Sequence, residues 1–449
     1  MMSVLFYLML LIVQFIDASE TKGSDLKRFI AKLPPDYTYG LLKVPENWNK
    51  PDGKLIDIFF YGRIKGKGIY SQETPTVFFN GGPSKDSHSL YENIENSQVG
   101  HDLPIIFIDQ RGTGFSSSYP SSPKKVFDFY GSEGIVRDAE AVRNKLLGDE
   151  NWNVFGQSYG GLIVYRYLKL FPNSIRKAIA DGFALHSHPE ENLLNFKAQY
   201  KIDLILNFFK KYPLNVARVK KIKNQINGKL STGIYSSDEC IDLILTIGIQ
   251  DVSSWILVDD FLSKVAPESE HSINFAYFQN FINTNFKKII ERKTFLLSSA
   301  STIIHYSEIG DNYTIFAEKY LPSLLSRIAE LKEELPIFVL SDELRLREDT
   351  SKLKGLVFLK NQIFINDISN ALMKNPSLEL YVFSGISDVY IPPQSYEEMK
   401  NKLSSENRVK FVNREGDHFN YVDDLLVLKN NQKDSKKKTT LDYCRRFYF

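Results

Sequence analysis

Trp152-Asn153-Val154-Phe155-Gly156-Gln157-Ser158-Tyr159-Gly160-Gly161 is an apolar run that closes on a serine set between glycines, and Leu162 to Leu170 continues at helical spacing. Gly156-Gln157-Ser158-Tyr159-Gly160 fits the pattern G-x-S-x-G. In that pattern a serine occupies a tight turn from strand into helix, with its Oγ pushed out at the carboxyl edge of a sheet. Glycines on both sides let strand and helix approach closely around a strained backbone. The pentapeptide alone is a weak signal, since ordinary glycine turns also produce it. The strand before it and the helix after it supply the context that makes Ser158 a candidate nucleophile.

The surrounding chain has the same texture. Thr76 to Phe79 is a short apolar run ending in Asn80-Gly81-Gly82-Pro83, and Pro104 to Ile108 is another, ending in Asp109-Gln110-Arg111-Gly112-Thr113-Gly114. Continuous apolar runs that end in glycine-rich loops suit parallel strands buried on both faces. Asp57 to Ile64 reads as a further strand after the turn signal Pro51-Asp52-Gly53, and Ile175 to Ala180 as another. Ile135, Ala139, Val142 and Leu146 share one helical face. Strands alternating with helices predict an α/β fold around a mostly parallel sheet.

From Leu185 to Asp367 helical periods dominate, as in Glu191 to Tyr212 and Ser236 to Ile249, although Pro336 to Leu340 has the composition of a strand. The α/β texture returns at Leu378 to Phe383 and Val409 to Val412. The expected organisation is a leader over 1–18, a first core segment over 19–184, a helical cap inserted over 185–367, and a second core segment over 368–449.

Composition narrows the function. With 43% hydrophobic and 24% charged residues the chain is neither disordered nor collagen-like. The 56 Lys+Arg against 54 Asp+Glu leave a net charge of +2, which gives no electrostatic argument for a nucleic-acid partner. Cys240 and Cys444 are too few for a zinc cluster, and the sequence calls for no cofactor; the two thiols are either bridged or separately buried. Val4 to Ile16 is an apolar run too short to span a bilayer comfortably, followed by Asp17-Ala18-Ser19-Glu20. It reads as the core of a secretory signal with Ala18 near the cleavage point, although no Lys or Arg precedes it, and a retained anchor is the alternative. The expectation is an exported protein, secreted or periplasmic, with no membrane span in the mature chain. The lysine-rich stretch Lys433 to Lys438 reads as a solvated loop.

A serine nucleophile needs a base and an acid that orients the base. On this kind of elbow both follow the serine in sequence, acid first. Among the seven histidines only His418 follows a late strand; His186 and His188 read as surface or pocket-lining groups, and His305 falls inside the cap. Asp388, in Ser384-Gly385-Ile386-Ser387-Asp388, directly follows an apolar strand, as an orienting carboxylate should. Asp342 and Asp417 are the rivals, the second disfavoured because a neighbour in sequence seldom points at the imidazole. Two backbone N–H groups must face the developing oxyanion. Tyr159, directly after the serine, should supply one, and Gly82 the other.

Together, Asn80-Gly81-Gly82-Pro83, Asp109 to Gly114 and Gly156 to Gly161 resemble the signature of prolyl iminopeptidases and related tripeptidyl aminopeptidases. The resemblance implies an α/β-hydrolase fold with a helical cap, a peptide substrate with a free amino terminus, and catalytic roles for Ser158, Asp388 and His418. The long cap and Asp181-Gly182 look more like the tripeptidyl branch. There, Ile303-Ile304-His305-Tyr306-Ser307-Glu308 resembles a segment whose glutamate faces the substrate, although Tyr306 stands where Cys is common. The chain departs from the usual His-Gly-Gly-Pro-Gly at Asn80 and Ser84. Arg111 is expected to brace loops by ion pairing rather than to take part in catalysis. An esterase on the same scaffold, or a non-catalytic binding protein, are the alternative functions.

Overall fold

The computed structural model describes residues 22–97, 100–187, 193–226, 252–281, 319–335, 362–386, 388 and 391–414, with residues 241, 242, 245, 248, 249, 304 and 308. The expected leader over 1–18, the Pro336 to Leu340 run, His188, His305, Tyr306, Asp342, Asp417, His418, both cysteines and the Lys433 to Lys438 stretch lie outside the described residues.

Eight strands form one sheet: β1 (Thr38–Pro45), β2 (Leu55–Gly62), β3 (Thr76–Phe79), β4 (Ile105–Ile108), β5 (Trp152–Gln157), β6 (Ile175–Asp181), β7 (Glu379–Gly385) and β8 (Val409–Arg414). Their order is β1-β2-β4-β3-β5-β6-β7-β8. Only the β1–β2 and β2–β4 pairings are antiparallel; the rest are parallel. Every residue of β3, β4 and β5 is buried, which explains why these strands read as unbroken apolar runs.

Successive side chains leave β3 on opposite faces. Val77 and Phe79 join a cluster with helices α3 (Ser132–Leu147), α4 (Tyr159–Leu170), α10 (Ile365–Lys374) and α11 (Glu397–Leu403), whereas Phe78 joins an aromatic cluster on the other face. That second face is covered by a helix over 22–30, through Phe29, and by α1 (His88–Glu95), through Leu90 and Ile94. Phe78 stacks on Phe155 of the neighbouring strand at 4.4 Å between ring centres.

A separate apolar cluster is built from α5 (Leu193–Lys211), α6 (Leu214–Ile226), α7 (Trp255–Val265), α8 (Phe275–Phe281) and α9 (Leu321–Glu334), between β6 and β7 in sequence. Strand β1 is absent from the sequence reading. It is an edge strand with Tyr39 and Leu41 half-exposed, so its apolar residues fall on both faces and give no alternation to read.

Arg111, just beyond β4, is fully buried and braces three segments. Its Nε donates to Asp138 Oδ2 at 2.7 Å, and its Nη1 to the carbonyls of Glu46 at 2.9 Å and Phe129 at 2.7 Å. A helix, α2 (Pro123–Phe129), and the end of β1 are thereby tied to α3. Removing one partner of a buried ion pair leaves an uncompensated charge, at a cost of about 3–5 kcal/mol. Arg111→Met should therefore lower unfolding stability by about that amount in urea titrations; a change under about 1 kcal/mol would show that the pair is not needed for the brace.

Candidate active site

The parallel strands all end at one edge, and the loops after β3, β5, β6 and β7 meet there. Ser158 follows β5 with φ 58° and ψ −121° and starts α4. Non-glycine residues rarely adopt such a backbone, which costs on the order of 1–3 kcal/mol. The turn can be this tight because side chains are missing on both sides of it. A Cβ on Gly156 would lie 2.0 Å from the Gly160 carbonyl oxygen, and one on Gly160 would lie 2.2 Å from the Phe79 carbonyl oxygen. The Ser158 N–H donates to the Asp181 carbonyl at 2.8 Å, and its own carbonyl accepts from Gly161 N–H at 2.7 Å. Ser158 is half-buried between buried neighbours, so the serine alone emerges from the edge.

The loop after β3 lies against this turn. Gly81 approaches most closely: a Cβ there would meet Gln157 Oε1 at 2.8 Å and Ser158 Cβ at 3.0 Å. The sequence reading singled out Gly82 and missed Gly81; the paired glycines were the signal, but two adjacent glycines do not say which faces the elbow. Their N–H groups differ in availability. Gly81 N–H donates to Asn80 Oδ1 at 2.7 Å, whereas Gly82 N–H has no hydrogen-bond acceptor among the described residues. Gly82 has φ 121°, and Tyr159 N–H belongs to the first residue of α4, where a helix offers no internal acceptor. Asn80 further holds the loop by donating to the Asp86 carbonyl and accepting, at its own carbonyl, from Gln110 Nε2 at 3.0 Å. Ser84 sits at φ 76°, a conformation that favours the glycine usual in the resembling family, and Tyr119 donates to its Oγ at 2.9 Å.

Asp388 lies three residues past β7 and is fully buried. Its Oδ1 accepts from Ile391 N–H at 2.8 Å and its N–H donates to the Gly385 carbonyl at 3.1 Å. Burial and then the Asp388 charge raise the pKa of the Tyr200 phenol, which the cap brings to this loop. Strands β5 and β7 are separated by β6, hence by two strand spacings or about 10 Å. A third group must stand between Ser158 and Asp388 for them to act together.

The four described histidines lie elsewhere, three of them with their rings engaged. His88 pairs with Glu92 and His101 with Glu95 around α1, and the His271 carbonyl accepts from Gln225 in the cap. His186 lies between β6 and α5: its ring stacks on Phe196 and its Nδ1 lies 3.5 Å from Glu398. Burial lowers its imidazole pKa.

Glu308 is buried against the core. Its Oε1 accepts from Ser132 N–H at 2.7 Å, and its Oε2 accepts from Ser132 Oγ at 2.8 Å and Arg166 Nη2 at 3.3 Å. The carboxylate thus caps the amino end of α3, where helix N–H groups lack partners and negative charge is favoured. Burial, then the Glu308 charge, push the Tyr159 phenol well up, and that hydroxyl has no hydrogen-bond partner among the described residues. The charge of Glu308 therefore acts on the side chain of the residue that follows the serine.

Among the described residues no group of His, Cys, Asp and Glu has the makings of a metal site, and no helix is long and apolar enough to cross a membrane.

Residues 74–220 match the family model of the alpha/beta hydrolase fold. A proline iminopeptidase of Aspergillus aculeatus is 29% identical over 200 residues, covering 40% of this chain and 44% of that protein. One from Aeromonas sobria is 27% identical over 184 residues, covering 38% of this chain and 43% of that protein. The chain spans under half the length of these relatives. A solved proline iminopeptidase of Mycobacterium smegmatis, 14% identical, aligns over 86% of this chain and 93% of its own with a TM-score of 0.41. Sheet order, elbow and the match over 74–220 give the protein the α/β-hydrolase fold. By sequence it is similar to a prolyl aminopeptidase-like family of that fold.

Proposed function

We propose that the protein is an exported serine aminopeptidase that cleaves peptides from a free amino terminus through an acyl-enzyme. The observation that carries this reading is the strained backbone of Ser158, against which the Gly81-Gly82 loop packs with the Gly82 N–H uncommitted. Strain of this kind is kept where the surrounding structure enforces it and function uses it. Ser158 Oγ attacks the scissile carbonyl carbon while His418 takes its proton. The oxyanion that forms is held by the N–H groups of Tyr159 and Gly82. Collapse expels the amine, which receives the proton from His418, and water then hydrolyses the acyl-serine by the same route. Asp388 orients the imidazole and stabilises its charged form. His418 is supported by its place after β8 and by the engagement of the His88, His101 and His186 rings elsewhere.

The prolyl iminopeptidase relatives favour a peptide over an ester, although the same triad would serve both. Ser158→Ala should abolish fluorophosphonate labelling and cut turnover of aminoacyl and tripeptidyl chromogenic substrates by about 10⁴-fold or more. Asp388→Asn should cost about 10⁴-fold with labelling slowed, while Asp342→Asn leaves both unchanged. Wild-type turnover in Ser158→Ala would remove the nucleophile, and the reverse result for the two aspartates would move the acid to Asp342.

An aminopeptidase must recognise an α-ammonium, and Glu308 is the proposed partner. A carboxylate offers about four acceptor positions; the three bonds to Ser132 and Arg166 leave one, on Oε1. A charge-assisted bond there is worth about 1.5–3 kcal/mol, or roughly ten- to a hundredfold in kcat/KM. Glu308→Gln should reduce cleavage of free-amine peptides by that factor more than it reduces cleavage of a small acyl ester, and acetylating the peptide amine should mimic that difference in the unsubstituted protein. Equal cleavage of free and acetylated peptides would reject the role and favour an esterase.

Export rests on the Val4 to Ile16 run. Amino-terminal sequencing of material recovered outside the cytoplasm should begin near Ser19; intact Met1 in a membrane fraction would mean an anchor instead.

A further inference from the structure

Asp181 and Arg414 form a buried ion pair at the carboxyl edge of the sheet, joining β6, the neighbour of the strand that precedes Ser158, to β8, the strand that precedes His418. Arg414 Nη2 donates to Asp181 Oδ1 at 2.8 Å; the Asp181 side chain is fully buried and that of Arg414 is 10% exposed. The pair reaches from β6 to β8, across the end of β7. Its main chain is engaged as well. The Asp181 carbonyl accepts the Ser158 N–H at 2.8 Å, and the Arg414 carbonyl accepts the N–H of Ile386, the first residue of the Asp388 loop, at 3.0 Å. The Ile386 carbonyl in turn accepts from Tyr200 of the cap at 3.2 Å. An unbroken path of bonds therefore runs from the elbow through Asp181 and Arg414 to the acid loop.

The buried Tyr396 phenol is raised by burial and then by Asp388, Tyr165 and Asp181, with Arg414 opposing, so the charges of the pair and of Asp388 act on one side chain.

We propose that Asp181 and Arg414 are positioning residues that set the separation between the Ser158 elbow and the Asp388 loop. The proposal rests on the reading of Ser158 as nucleophile and Asp388 as orienting acid. Two physical arguments favour it. An apolar pair of equal volume would often be at least as stabilising as a buried ion pair, but it would not fix a direction, whereas the hydrogen-bonded pair does. Strands β5 and β8 are also three spacings apart, about 14 Å, and His418 comes only four residues after Arg414, a tether of at most about 14 Å. With so little slack, the end of β8 has to be held in place, and the ion pair holds it.

The test uses the full chain and two readouts, chromogenic peptide turnover and the rate of fluorophosphonate labelling of Ser158. A misplacement of about 1 Å can cost up to about a hundredfold in rate. Arg414→Gln should lower kcat and the labelling rate by about ten- to a hundredfold, with KM within about twofold. The acid limb of its pH profile should move to lower pH, because a displaced Asp388 stabilises the imidazolium less. Simple loss of a positive charge would move the limb the other way. Arg414→Lys should restore most of the rate. Asp181→Asn should show the same fall in kcat, and it carries the test if Arg414→Gln does not fold. A folded variant with wild-type kcat and labelling but a lower melting temperature overturns the proposal, as does an acid limb that moves upward in Arg414→Gln. If Ser158→Ala keeps its turnover, the nucleophile reading fails first and this proposal falls with it.

Discussion

The left-handed backbone at Ser158 is the constraint on which the rest of the site depends. A serine at φ 58° is unfavourable by itself, and it persists because β5 is pinned in the middle of the sheet and α4 starts immediately beyond it. Gly156 and Gly160 allow strand, helix and the Phe79 carbonyl to come within distances that a methyl group would block. The same compression brings Gly81 against the serine and leaves the Gly82 N–H uncommitted. A local strain thus organises two loops that are far apart in sequence.

Around that turn, buried ion pairs fix direction where apolar packing fixes only volume. Arg111 with Asp138 ties the β4 loop to α3, Arg166 with Glu308 ties α4 to the cap, and Arg414 with Asp181 ties β8 to β6. Each places an arginine against a carboxylate whose side chain is nearly or wholly buried, and each joins segments that the hydrophobic clusters alone would let slide. Taking such charges out of water costs several kcal/mol per ion before pairing offsets it. Their shared property is orientation at the edge where the chemistry is proposed to occur.

Glu308 lies where two demands meet. It neutralises Arg166 and caps α3, and its charge acts on Tyr159, whose main chain is a proposed oxyanion donor. A cap residue tied this closely to the elbow couples cap position to the geometry of the nucleophile, whichever ligand the cap admits.

The sequence by itself determined the α/β class, the central strands and the elbow. Continuous apolar runs and a glycine-bracketed serine are local signals, produced by burial on both faces and by backbone sterics. It also placed Asp388 correctly at the end of a strand, and Arg111 as a brace, because each follows an apolar strand in a short string. Edge strand β1 left no such trace, since its apolar residues fall on both faces, Tyr39 and Leu41 on the exposed one and Leu42 and Val44 on the covered one. Which of Gly81 and Gly82 faces the serine depends on the path of a loop in three dimensions, as does the pairing of Glu308 with Ser132 and Arg166, 176 and 142 positions away. Asp181 and Arg414 lie 233 positions apart and carry no shared motif. Contacts at that range are set only when the strands take their order in the sheet, because it is the sheet, and not the chain, that makes them neighbours.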